Sequence, residues 1–246
     1  MRNYEEYKYS VKEICFLLIK YSVILGLTAF FFYRSIIAFL IFLLSAPFYL
    51  RLKKKELIRT RKKKLALEFS QVLTCVNANV LAGLSVENAF VEAVKDIKLF
   101  YGEKSLMEEE LHYIKKGLSV NKTLEEMLKE LGERSRVEDI EVFAGVFELA
   151  KRNGGKITRV LSETADSLKE KQEVEKEIEV VITQKKLEFK IMEIIPFLIM
   201  GYIEMTSAGY FNDMYGNAKG ILFMTLCLLI YLAAVFIGTR TVNINV

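Results

Sequence analysis

The chain has 246 residues, 52% of them hydrophobic, with 35 Lys and Arg against 31 Asp and Glu, two prolines and no Trp. Few prolines, abundant Leu, Glu and Lys, and no alternating apolar–polar runs exclude a β-rich fold and leave an all-α one. Three scattered cysteines (Cys15, Cys75, Cys227) and one histidine, His112, exclude a disulfide framework and a clustered metal site.

Apolar residues gather in 14–50 and again in 191–238, on either side of a charged middle. The first block is too long for one perpendicular span. Arg34-Ser35 interrupts it and predicts a hairpin of spans 14–33 and 36–50; one long tilted helix is the competing reading. The run is too long for a cleaved signal peptide and lacks a small-residue cleavage site. Next comes RLKKKELIRTRKKK, residues 51–64, with nine basic residues and one acid, Glu56. It carries +8 of a chain total of +4, so the rest sums to −4. Lys and Arg beside a span mark the cytoplasmic side and suit anionic headgroups, so this is a juxtamembrane segment rather than a nucleic-acid arm.

Residues 65–189 read as a helical, cytoplasmic region. A first helix, 65–82, stops at Gly83, a left-handed cap, and Ser85 opens the next. A third, roughly 103–116, ends at Gly117. Thr123 and Glu126 form a capping box opening TLEEMLKEL, which ends at Gly132. Ser135 and Glu138 suggest another box, opening a helix whose apolar stripe is Val137, Ile140, Val142, Phe143, Val146, Phe147 and Ala150. Eight acids fall in 123–148 against Lys129, Arg134 and Arg136. Glu125, Glu126 and Glu130 among them either meet a basic partner or simply face water.

Gly154-Gly155-Lys156-Ile157-Thr158 resembles a phosphate-binding loop only briefly. Ala150 stands where the first Gly of a Walker A motif belongs, and Ile157 where its hydroxyl belongs. Gly154 and Gly155 are read instead as a helix–helix corner. From Lys156 no break is evident before Pro196, which predicts either one long helix or a pair with a turn in the polar stretch 169–177. The second apolar block then gives a membrane hairpin in 190–246, with spans 191–211 and 220–239 and a polar loop, 212–219.

Three charges fall inside the expected spans: Lys20, Glu193 and Glu204. The glutamates are eleven residues apart, about 20° around a helix, so they share a face that should look into protein. By depth, Lys20 suits Glu193, while Glu204 is left protonated, hydrated or reached by Arg34 from the outer edge.

With these residues in place, the chain resembles the F domain of type II secretion and type IV pilus inner-membrane platform proteins, and is most similar to the platforms of Tad (Flp) pilus systems. The resemblance rests on Leu81-Ala82-Gly83-Leu84-Ser85-Val86-Glu87-Asn88-Ala89, on Gly117 to Leu128, on Phe147 to Leu168 with its Gly-Gly corner, and on Pro196. It covers about 65–238. Platforms of the type II and type IV systems usually carry the F domain twice, and this chain has room for one copy. The resemblance implies an all-α membrane protein, with a cytoplasmic helical bundle (65–189) between N-terminal (1–50) and C-terminal (190–246) hairpins. It implies a non-enzymatic platform in the inner or plasma membrane, without cofactor or catalytic residues. Its implied partners are a cytoplasmic secretion or pilus ATPase, pilin-like subunits, and a second F-domain protein or another copy of itself.

Two other classes compete with this reading. A small secondary transporter is motivated by Glu193 and Glu204, since intramembrane carboxylates are often functional. An aspartyl membrane peptidase needs two Asp residues near its spans, and only Asp213 lies there. No HExxH, nucleophile elbow or kinase pattern occurs.

Overall fold

The computed structural model describes residues 4, 9–102, 105–153, 157–207, 209–215 and 217–242. Among them every regular element is helical: α1 (Val11–Tyr33), α2 (Ile36–Leu43), α3 (Ala46–Leu81), α4 (Val86–Tyr101), α5 (Leu106–Ser119), α6 (Leu124–Ser135), α7 (Glu138–Arg152), α8 (Ile157–Thr206), α9 (Asn212–Tyr215) and α10 (Ala218–Val242). The chain divides into two compact units, Met1–Lys8 with Lys53–Val174, and Tyr9–Leu52 with Glu175–Val246.

The first unit is a bundle whose core is spaced at helical period. Leu65, Phe69, Val72 and Val76 of α3 are fully buried, as are Phe90 and Ile97 of α4, Met107 and Leu111 of α5, Leu124 and Leu128 of α6, and Ile140, Phe143 and Phe147 of α7. Leu161, Ala165 and Leu168 complete it from α8. The Phe143 ring meets Phe69 edge-on at 5.5 Å and Phe147 at 5.7 Å, within the range where aromatic pairs add to burial.

Local chemistry sets the helix ends. Gly83, at φ +99°, closes α3, with the Leu84 N–H donating to the Asn79 carbonyl at 3.1 Å, the 6→1 bond of a Schellman turn. The Ser85 hydroxyl accepts from the Asn88 N–H at 3.3 Å and so caps α4. Thr123 and Glu126 form the reciprocal box at the start of α6.

Several expected boundaries move. The third helix begins at Leu106, capped by Ser105, and runs through Gly117 to Ser119. Gly117 is no stop signal: a Cβ there would sit 2.7 Å from Met127 Sδ, so α6 crosses too close for a side chain. Gly132 also lies inside its helix, where a Cβ would meet the Glu141 Cα at 3.2 Å. α6 stops instead at Arg136, in the left-handed region at φ 48°. The Ser135–Glu138 box does not form; Val137 is the N-cap of α7, and the Ser135 hydroxyl donates to the Gly132 carbonyl at 3.2 Å. Of the expected α7 stripe, Val142 and Val146 are 58% and 43% exposed, and Ala144 is buried in their stead. The Gly154–Gly155 corner lies outside the described residues.

The second unit contains the apolar helices. Among the described residues two are long and apolar enough to cross a bilayer, α1 and α10; α2 with α3, bent by 46°, would make a third. The chain after α1 runs back antiparallel to it: the Tyr21 hydroxyl pairs with Ser45 Oγ, between α2 and α3, at 2.6 Å, and the Tyr9 hydroxyl, just before α1, donates to the Leu50 carbonyl of α3 at 2.9 Å. α8 is one helix of 50 residues with no turn at 169–177 and with Pro196 inside it. It ends at Thr206 rather than at 211, so its apolar part from Ile191 is ~24 Å long, short of a ~30 Å hydrocarbon core. α10 runs antiparallel to α8: the Tyr231 hydroxyl donates to the Glu193 carbonyl at 3.0 Å, and Gly238 lies against the Phe189 ring.

Gly83 gives a clean test, because nothing lies within 4 Å of a Cβ built on it. Gly83→Ala should destabilise the chain by about 1 kcal/mol through backbone strain alone, and Gly83→Asn by less. Denaturant unfolding of the full chain measures both. An unchanged Ala variant would contradict the capping role.

Candidate functional site

One ion pair of the apolar unit centres on Arg34. This residue caps α1 in the left-handed conformation, φ 44°, which turns its side chain back over the helix end. Its guanidinium forms an ion pair with Glu204 of α8 and donates to Asn212 Oδ1 of α9 at 3.3 Å. The same group lies 5.8 Å from the Phe30 ring centre and 5.3 Å from that of Tyr215, close enough for cation–π attraction. The Tyr215 hydroxyl closes the site by donating to the Phe31 carbonyl at 2.6 Å. One cation thus gathers α1, α8 and α9.

Beside this polar end sits a small apolar cluster. Phe32, Met224 and Leu228 are buried, Phe197 meets the rings of Phe31 and Phe32 edge-on at 6.0 and 6.3 Å, and Tyr231 lies 5.6 Å from Phe197. The Tyr33 and Thr225 hydroxyls pair at 3.0 Å.

The expected Lys20–Glu193 pair is absent among the described residues. Lys20 is exposed and shares the α1 face of Ile24 and Leu27, which are 51% and 50% exposed. That face meets α8 at Phe31 but not lower down, so matching depth did not bring the two charges together. Glu193 offers its backbone carbonyl, not its carboxylate, to Tyr231.

The bundle holds a second polar constellation, which periodicity could not reveal. Glu110 is 5% exposed, yet its oxygens receive both Arg134 terminal nitrogens, at 2.8 and 2.6 Å. The fully buried Tyr4 donates its hydroxyl to the same carboxylate at 2.8 Å, and Arg61 covers its ring at 5.6 Å. Hydrogen bonding to Glu110, against the opposing effect of burial, holds the Arg134 guanidinium above its ordinary pKa. Glu68, fully buried, accepts from Ser105 Oγ and the Met107 N–H, each at 2.8 Å, and so fixes the start of α5. The Arg134–Glu110 fork is bidentate, which suits fixing helices rather than chemistry. Among the described residues no group of three or more His, Cys, Asp or Glu side chains could hold a metal ion. His112 is on the surface, its Nε2 3.8 Å from Glu108.

The three acids expected to meet a partner have work inside the bundle. Glu125 is 2.8 Å from Lys151, which also reaches Glu87 at 3.0 Å and so joins α4, α6 and α7. The Glu126 carboxylate accepts from the Thr123 N–H, and Glu130 accepts from the Tyr113 hydroxyl at 3.3 Å. Glu126 is nevertheless exposed, as are Glu133, Glu138, Glu141 and Glu148, while Glu125 and Glu130 are half-buried. Burial depresses the Lys151 pKa, but the hydrogen bonds it donates to Glu125 and Glu87 outweigh that and leave it raised. Glu87 lies below its ordinary value because its own backbone N–H bonds the carboxylate, against burial, with Lys151 adding to the effect.

Glu125→Lys should therefore lower the melting temperature by about 4 °C or more. Glu148→Lys loses only an exposed 3.7 Å pair with Lys129 and should leave it within about 1 °C. The Glu87 contribution is present above its unfolded pKa and is lost as pH falls through the lower folded value. Glu87→Gln should accordingly lose less stability than the wild type between about pH 6 and pH 3. Equal acid limbs in denaturant titrations would contradict this.

No family model, curated protein or solved structure matches the chain.

Proposed function

We propose that this chain is a non-enzymatic platform of the inner or plasma membrane, belonging to a type II secretion or Tad-like type IV pilus machine. It would couple a cytoplasmic secretion ATPase to pilin assembly or protein export. The observation that carries the reading is the pairing of a capped, self-contained helical bundle with helices long enough to cross a bilayer. The order of motifs supports it: a Gly83 corner with its Ser85 cap, the Gly117 crossing with the Thr123 box after it, and Pro196 within α8. In this reading the basic run 51–64 keeps the bundle in the cytoplasm, by the positive-inside rule. The unbroken α8 acts as the lever that passes motion from bundle to membrane. A paralogous platform protein or a second copy stands beside this chain in the assembled machine. The transporter reading loses part of its motive, because Glu204 already has a structural partner in Arg34.

Purified full chain in lipid nanodiscs, mixed with the hexameric ATPase of such a system, should give a complex on size exclusion and stimulate ATP hydrolysis. Absence of both would overturn the platform reading. For orientation, Asn217→Cys should react with an impermeant maleimide in intact cells and Lys122→Cys should not. The reverse pattern would contradict the cytoplasmic bundle.

A further inference from the structure

α7 buries one face and leaves another uncovered. Val142, Val146 and Leu149, at i, i+4 and i+7, form a single stripe that is 58%, 43% and 59% exposed. Gly145 lies beside them with nothing within 4 Å of a Cβ built on it. A Gly in an exposed helix middle costs about 1 kcal/mol against Ala, and nothing inside the bundle requires it here. It leaves a notch into which a second helix can settle. Glu138 precedes the stripe and Arg152 follows it; both are exposed, and neither has an ion-pair partner among the described residues.

We infer that this face of α7 binds α7 of a second copy of the chain, antiparallel, about a two-fold axis between Gly145 and Val146. That axis sets Val142 opposite Leu149 of the other copy, and Gly145 opposite its Val146. It brings Glu138 within one residue of the level of Arg152, twice over. A two-fold interface must be complementary to itself, and this stripe has an acid at one end, a base at the other and the notch between, with the exposed Glu141 and Glu148 flanking it on the notch side. A parallel pairing would set Glu138 on Glu138 and Arg152 on Arg152. A four-turn stripe covers less than the ~800 Å² per partner of stable complexes. Copies should therefore pair when they share a membrane, where effective concentration is high, and separate in dilute detergent. The inference does not depend on the platform reading, and no ATPase enters its test.

The test uses the full chain in liposomes, with Cys15, Cys75 and Cys227 replaced by Ala. Copies carrying Val142→Cys are mixed with copies carrying Leu149→Cys and oxidised. The mixed disulfide should exceed the Val142→Cys self-disulfide at least about fivefold, because only the antiparallel register brings those Cα atoms within ~7 Å. Glu138→Arg and Arg152→Glu should each lower the mixed product about fivefold at low salt, and the double variant should restore it. As a second readout, energy transfer between copies labelled at Lys122→Cys should fall when Leu149→Lys is introduced, with the helical signal unchanged. Three results would overturn the inference: equal self- and mixed disulfides, a double variant no better than the singles, or a disulfide formed in cell membranes only to a different protein.

Discussion

A guanidinium at the end of an apolar helix is expensive unless something receives it, and the arrangement around Arg34 answers that constraint for the whole apolar unit. An unpaired charge costs about 3 kcal/mol at the helix centre on insertion scales and less toward a helix end, where Arg34 sits. Here Arg34 pairs with Glu204, so two costly groups are neutralised together. The geometry needs α1 to stop at Tyr33, α8 to place Glu204 in its last turn, and α9 to bring up Asn212 and Tyr215. The position of α10 follows, because Gly220 at its start lies against the Met214 backbone and Thr225 pairs with Tyr33.

The bundle solves a different problem, the satisfaction of helix ends and buried carboxylates. Ser85, Ser105 and Thr123 each accept from a backbone N–H in the first turn of the following helix. Glu68 and Glu110 are buried but hydrogen-bonded, Glu68 through Oε2 to Ser105 and Met107 and Glu110 through both oxygens. Removing one partner of a pair such as Glu110–Arg134 would cost more than replacing both by apolar residues. Tyr4 adds a long-range tie, since its hydroxyl is bonded to a residue 106 positions away.

Much of this was legible in the sequence wherever the signal was local. The helical class, the Gly83 stop, the Ser85 cap and the Thr123–Glu126 box depend on neighbours within a few residues. Gly117 and Gly132 misled because a glycine that ends a helix and one that admits a crossing helix look alike until the partner is in place. Val142 and Val146 misled because period alone cannot say whether an apolar stripe faces its own core or something outside. Tyr4 on Glu110 joins residues too far apart for any spacing rule. Depth arithmetic allowed Lys20 to meet Glu193, but pairing depends on which faces touch. Arg34 reaching Glu204 was readable only as one of three possibilities, because the turn after Tyr33 decides it.

The most direct test of this account is a charge exchange at that site. Full-length chain carrying Arg34→Glu, Glu204→Arg or both would be placed in liposomes and followed by thermal unfolding and protease resistance. Each single change should lower the transition by several degrees, about 2–3 kcal/mol of lost pairing, and the double change should recover most of it. The parallel exchange of Lys20→Glu with Glu193→Lys should show no such recovery. A double variant at Arg34 and Glu204 no more stable than either single one would contradict the claim that this pair organises the apolar unit.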